Sequence, residues 1–150
     1  FRIYLPASKS PPAVPGSQTA LPAADKGEGT VLLVDDEPVV REVGAEMLAS
    51  LGYEVVTAGS GSEAMEIYAA RTDQIDLILL DMVMPDMSGG RCFDGLKRIN
   101  PDARIMLSSG YSLEGKAQEI MDRGCQGFIQ KPYTIEQLSA KIRAILETAK

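Results

Sequence analysis

The sequence predicts an α/β fold: a central five-stranded parallel sheet, doubly wound, with helices on both faces. Three observations predict it. From Thr30 onward, short apolar runs alternate strictly with segments of helical spacing. The runs are largely continuous, as in strands covered on both faces. Five such units fit into about 120 residues, and strict alternation implies parallel strands joined by crossover helices.

The first strand is VLLV, Val31 to Val34. Pro38 to Ser50 follows as a helix, with Val39, Val40, Val43, Met47 and Leu48 near helical spacing and Gly52 placed to stop it. Tyr53 to Thr57 is the second strand, and Ser62 to Ala70 the second helix, carrying Ala64, Met65, Ile67 and Tyr68. Asp76 to Leu80 is a third, buried strand. Gly90 to Ile99 makes a poor helix, weakened by Gly95. Arg104 to Leu107 is the fourth strand, Leu113 to Asp122 the fourth helix, and Gln126 to Ile129 a short fifth strand. Thr134 to Thr148 is the clearest helix, apolar at Ile135, Leu138, Ile142, Ile145 and Leu146, with Thr134 as N-cap and Gln137 three residues on. Five strands in this length suggest the flavodoxin-like order 2-1-3-4-5.

Residues 1–28 differ in composition. Five of the nine prolines fall in the first 22 residues, among Ala, Ser and Gly, and residues 7–28 read as an extended linker. Before it, FRIYLP reads as a short strand parted from its sheet. The chain begins at Phe1, without an initiator Met or a charged-then-apolar leader, so a cut in a longer chain is expected.

Charge and composition narrow the function. The net charge is −6; residues 29–150 hold 12 basic and 19 acidic residues, a net of −7. Nucleic acid and anionic membranes are therefore not expected as direct partners. No apolar run approaches the roughly 20 residues that span a bilayer. The chain has no histidine, which excludes Ser-His-Asp and Cys-His catalysis, His-ligated metals and a phosphohistidine of its own. Cys92 and Cys125 are too few for a zinc site and are expected as buried, reduced thiols in a cytoplasmic protein.

In a doubly wound sheet, chemistry sits at the carboxyl ends of the strands. The first strand ends in Asp35-Asp36-Glu37-Pro38, the third in Asp81, the fourth in Ser108-Ser109-Gly110, and the fifth near Lys131-Pro132. Three carboxylates, hydroxyls and one ammonium therefore converge. Clustered carboxylates call for a cation, and Mg²⁺ suits an all-oxygen site. Such a site with a Lys and a hydroxyl can hold a phosphoryl group, and a central Asp can attack phosphorus. Nucleotide or flavin binding would need a Gly-rich turn after the first strand, where DDEP would repel a pyrophosphate.

Together, VLLVDDEP, DLILLDMVMPDMSGG, RIMLSSGY and GFIQKPY resemble the receiver domain of two-component response regulators, over about residues 29–150. Each motif alone is weak; four in order are specific. The resemblance implies that Asp81 is the phosphoacceptor and Asp36 a direct Mg²⁺ ligand. It implies that Asp35 holds a metal-bound water and that Val83 gives the metal its backbone carbonyl. Ser109 would hydrogen-bond the phosphoryl oxygens, with Ser108 the alternative on the other face of the strand. Lys131 would pair with the phosphoryl group, from a Lys131-Pro132 bond expected to be cis. Phe128 takes the aromatic switch position, and Val83 and Tyr111 the positions that tune phosphoryl lifetime. Phosphorylation would reshape the face of helix 4, strand 5 and helix 5.

FRIYLP resembles the closing strand of a histidine kinase ATP-binding domain, so the layout resembles a hybrid histidine kinase. The expected donor is a histidine kinase or a His-containing phosphotransfer protein. The domain would assist its own aspartyl phosphorylation and dephosphorylation and is expected to be monomeric when isolated. The alternative is a receiver-like interaction module that works without phosphorylation; such modules lack the acidic pair, the acceptor or the Lys, and all are present here. A phosphoaspartate hydrolase would want an acid two residues after Asp81, where Val83 stands. Structural roles compete at each position: Asp36 as a helix cap, Asp81 as a turn residue, Phe128 as a buried aromatic.

Overall fold

A computed structural model describes residues 26–110 and 114–148. FRIYLP, nearly all of the linker and Tyr111 lie outside the described residues. In chain order the elements are β1 (Thr30–Val34), α1 (Pro38–Ser50), β2 (Glu54–Ala58), α2 (Gly61–Ala70), β3 (Leu77–Asp81), α3 (Gly89–Ile99), β4 (Ile105–Ser109), α4 (Glu114–Asp122), β5 (Gly127–Gln130) and α5 (Ile135–Glu147). The strands form one parallel sheet in the order β2-β1-β3-β4-β5, as expected. Among the described residues no helix is long and apolar enough to cross a membrane.

The continuous apolar runs work because each strand feeds two cores. Leu32, Val34, Ile78, Leu80, Ile105 and Leu107 point to one face and meet Ala64, Tyr68, Phe93, Leu96 and Ile120 from α2, α3 and α4. Val31, Leu33, Leu77, Leu79, Met106 and Ile129 point to the other and meet Leu48, Leu138, Ile142 and Ile145 from α1 and α5. Period-two alternation thus divides one apolar run between two layers.

Several elements depart from the sequence reading. Strands β2 to β5 each run one or two residues past their last expected member; in β3, β4 and β5 backbone pairing carries on through the polar Asp81, Ser108, Ser109 and Gln130. Asp81 and Ser109 are the final residues of β3 and β4, at the strand ends where the chemistry is expected. In α1, Val39 and Val43 are 70% and 50% exposed; the buried positions are Gly44 and Leu48. A Cβ on Gly44 would come within 3.0 Å of Leu33, so the missing side chain lets α1 lie against β1. The helix ends as expected, with Gly52 at φ 99°, open to glycine and costly for other residues.

Segment α3 is a full helix despite its glycines. Ser88 caps it by accepting from the Arg91 N–H, Lys97 and Arg98 suit its last turn, and Cys92, Phe93 and Leu96 form its buried stripe. Gly95 is a packing residue, since a Cβ there would sit 2.3 Å from the Met65 sulfur of α2. At α5, Thr134 and Gln137 form the expected reciprocal capping box.

Both cysteines are free and buried. Burial, helped by the charge of Asp86, pushes the Cys92 thiol up to about 12, and burial also raises Cys125. Because thiolate is the reactive form, iodoacetamide near neutral pH is expected to label neither thiol in the native domain and both after denaturation. Native labelling of either, read by intact mass, would contradict this packing.

Candidate functional site

Register places the chemistry. Val34 of β1 pairs with Leu80 of β3, Asp81 with Ser108, and Ser109 of β4 with Gln130 of β5. The residues after β1, at the end of β3 and after β5 therefore lie along one edge of the sheet. A cavity of about 370 Å³ opens there, lined by Asp36, Glu37, Val40, Asp81, Val83, Ser109, Gly110 and Lys131.

Asp35 anchors this edge and is only 2% exposed. Its Oδ1 accepts from the Glu37 N–H at 3.0 Å, a local turn that sends the chain into α1. Its Oδ2 accepts from Lys131 Nζ at 2.5 Å. Its backbone carbonyl accepts from the Arg41 guanidinium at 2.6 Å. The N-cap position of α1 is Glu37, with no side-chain cap bond and Pro38 following, so capping is not the role of Asp36. Asp36 is half-buried and turned into the cavity.

Asp81 is 6% exposed, with Oδ1 3.3 Å from the Val83 N–H and 3.6 Å from Lys131 Nζ. Burial raises its carboxyl above the usual range. Lys131 and the Val83 hydrogen bond pull it down, and the charges of Asp35 and Asp36 push it up further. Lys131 feels the reverse. Burial works to lower its ammonium, but the Asp35 hydrogen bond and the charges of Asp81 and Asp35 outweigh it and leave it raised. The charged form of Lys131 is thus favoured, while burial disfavours the charged form of Asp81.

The two serines separate cleanly. Ser109 lines the cavity, and its carbonyl accepts the Lys131 N–H at 2.7 Å. Ser108 sits opposite Asp81 in the ladder, outside the cavity lining, and its carbonyl accepts the Met82 N–H. The Lys131-Pro132 bond is cis. Phe128 is half-buried rather than buried; it lies opposite Leu107, packs on the α2-α3-α4 core and does not line the acidic cavity.

Asp35, Asp36, Asp81, Val83, Ser109 and Lys131 are therefore brought together, and Phe128 stands apart. Arg41 was not singled out from sequence. Its position one turn into α1 could have suggested it, since helix geometry returns that residue toward the end of β1. Asp35, Asp36 and Asp81 each offer a carboxylate oxygen, all within 4.8 Å of one another. This hard, all-oxygen donor set, short of positive charge, fits a divalent cation of the magnesium type.

The chain is similar to known proteins. The response regulator receiver domain family matches residues 31–143. The chain is 34% identical over 154 aligned residues to the sensor kinase CckA of Brucella abortus, covering 98% of this chain and 16% of that one. It is 36% identical to the probable transcriptional regulatory protein TcrX of Mycobacterium tuberculosis, covering 82% of this chain and 52% of that one. Among solved structures it is similar to the response regulator TrrA of Thermotoga maritima in complex with Mg²⁺ and BeF. That match has TM-score 0.71 and 30% identity, over 79% of this chain and 99% of that one. With the sheet order, the acidic strand ends and a family match over most of its length, this chain belongs to the response regulator receiver domain family.

Proposed function

We propose that this receiver domain takes a phosphoryl group from a phosphohistidine onto Asp81 and switches its α4-β5-α5 face in response. The observation that carries the reading is the joint placement of three carboxylates within 4.8 Å and the Lys131 ammonium 3.6 Å from Asp81. Asp36, Asp81 and the Val83 carbonyl would hold Mg²⁺, with Asp35 as the acidic neighbour. Bound there, the ion would supply charge neutralisation for the transferring phosphoryl oxygens. An Asp81 carboxylate oxygen attacks phosphorus in line; the P–N bond breaks, and the donor imidazole nitrogen leaves with the electron pair and takes up a proton. Lys131 stabilises the phosphoryl oxygens, and the Ser109 hydroxyl hydrogen-bonds them. Its displacement toward them makes room for Phe128 to turn inward, a population shift driven by contacts that exist only with phosphate bound.

The natural context we propose is a hybrid histidine kinase. Residues 1–6 would close its ATP-binding domain, 7–28 would be the linker and 29–150 the receiver. The CckA match supports this, since its coverage of 98% extends into the first 28 residues while the TcrX match covers 82%. The donor would be that kinase or a His-containing phosphotransfer protein, in the cytoplasm, where the buried thiols stay reduced.

With acetyl phosphate and Mg²⁺, the wild type is expected to gain one phosphoryl group by intact mass and Asp81→Asn none. Equal labelling would remove Asp81 from the role, and an unlabelled wild type would favour the phosphorylation-independent module. Val83 is 62% exposed at the cavity mouth, where its apolar side chain hinders an attacking water. Val83→Asn is expected to shorten the phosphorylated lifetime, followed by loss of mass shift after donor removal; a longer lifetime would refute that role.

A further inference from the structure

The loop between β3 and α3 carries Val83, and its two ends are firmly closed. The Met82 N–H donates to the Ser108 carbonyl at 2.9 Å, and the Gly89 N–H donates to the Met82 carbonyl at 3.0 Å. A Cβ on Gly89 would lie 2.6 Å from the Met82 backbone, so this closure needs glycine. Met82 and Met84 are buried. The tip, by contrast, is exposed at Pro85 and Asp86.

That tip is tied to a different element. Asp86 Oδ1 accepts the Gly61 N–H at 3.3 Å, and Oδ2 accepts the Ser62 N–H at 3.0 Å and the Ser62 hydroxyl at 3.1 Å. These bonds complete a cap shared between two segments. The first amides of a helix have no partner within it. Ser60 takes the Glu63 N–H from within the chain segment, and Asp86 takes those of Gly61 and Ser62 from across the fold. A carboxylate there also meets the positive end of the α2 dipole. Burial acts to raise the Asp86 carboxyl, but the bonds from Ser62 and Gly61 outweigh it and hold it below the usual range. Beside this tie, Met87 lies over Gly61, where a Cβ would come within 2.6 Å of it, and Cys92 Sγ donates to the Gly61 carbonyl.

Between the closed base and the tied tip sits Val83, whose N–H reaches Asp81 Oδ1 at 3.3 Å. A bond that long is broken by a small displacement of the loop. We propose that Asp86 is a positioning residue. By clamping the loop tip to the N-terminus of α2, it fixes the Val83 backbone, and through it the Asp81 carboxylate and the carbonyl offered to the metal. The consequence for metal rests on the phosphoacceptor reading above; the consequence for the loop does not.

Asp86→Ala tests the tether, Asp86→Asn retains one acceptor oxygen, and Ser60→Ala weakens the same helix end without touching the loop. Two quantities are read: amide hydrogen exchange at Val83 in metal-free protein, and the Mg²⁺ dissociation constant by calorimetry. For Asp86→Ala the Val83 amide is expected to exchange about tenfold faster. Its Mg²⁺ dissociation constant should rise about tenfold. Asp86→Asn should fall between Asp86→Ala and wild type, and Ser60→Ala should match wild type on both. Wild-type Val83 exchange in both Asp86 variants, or an equal change in Ser60→Ala, would overturn the proposal. If the wild type binds no Mg²⁺ and takes no phosphoryl group, the phosphoacceptor reading fails, and the Val83 exchange still decides the tether.

Discussion

Lys131 reaches from the end of β5 to Asp35 at 2.5 Å and stands 3.6 Å from Asp81. Among the described residues that line the acidic cavity it is the only cation. Two unit charges near 4 Å interact by roughly 4 kcal/mol at an effective dielectric near 20. Three carboxylates and one ammonium leave this cluster with a formal net charge of −2. The pocket is therefore short of positive charge, a condition that suits a divalent cation. Burial raises the Asp81 carboxyl, with the charges of Asp35 and Asp36 adding to it, while the Asp35 hydrogen bond and the neighbouring carboxylates raise the Lys131 ammonium against its own burial.

The rest of the domain keeps these groups in place. Parallel register levels the strand ends, so that residues far apart in sequence meet at one edge. Alternating side chains bind the sheet to α2, α3 and α4 on one face and to α1 and α5 on the other. Both layers are filled by residues such as Leu79, Leu80, Phe93 and Ile142 that are 1% exposed or less. Against that support, an unfavourable polar cluster at the sheet edge is tolerable.

Much of this was legible because it is local. Buried parallel strands write continuous apolar runs, and the reciprocal cap at Thr134 and Gln137 spans three residues. The acidic pair and Asp81 follow such runs directly, so topology alone brings them together. What escaped was set by distant partners. Asp86 bonds residues 24 and 25 positions earlier, and no pattern near it announces them. Gly95 looks like a helix breaker until Met65 is placed against it. Val39 and Val43 fit the period of α1, yet the sheet takes only the Gly44 and Leu48 side of that helix. The exposed pair instead borders an apolar groove with Pro132 and Tyr133, next to the acidic cavity. At β3, β4 and β5 apolar character stops before backbone pairing does.

If the function proposed for this edge holds, Asp81, and neither Asp35 nor Asp36, takes the phosphoryl group. Site mapping tests it most directly. After treatment with acetyl phosphate and Mg²⁺, borohydride reduces an acyl phosphate to the corresponding alcohol, and tandem mass spectrometry of the peptides locates it. The expected result is homoserine at position 81 alone. Conversion at Asp35 or Asp36, or at a carboxylate outside the cavity, would contradict the account.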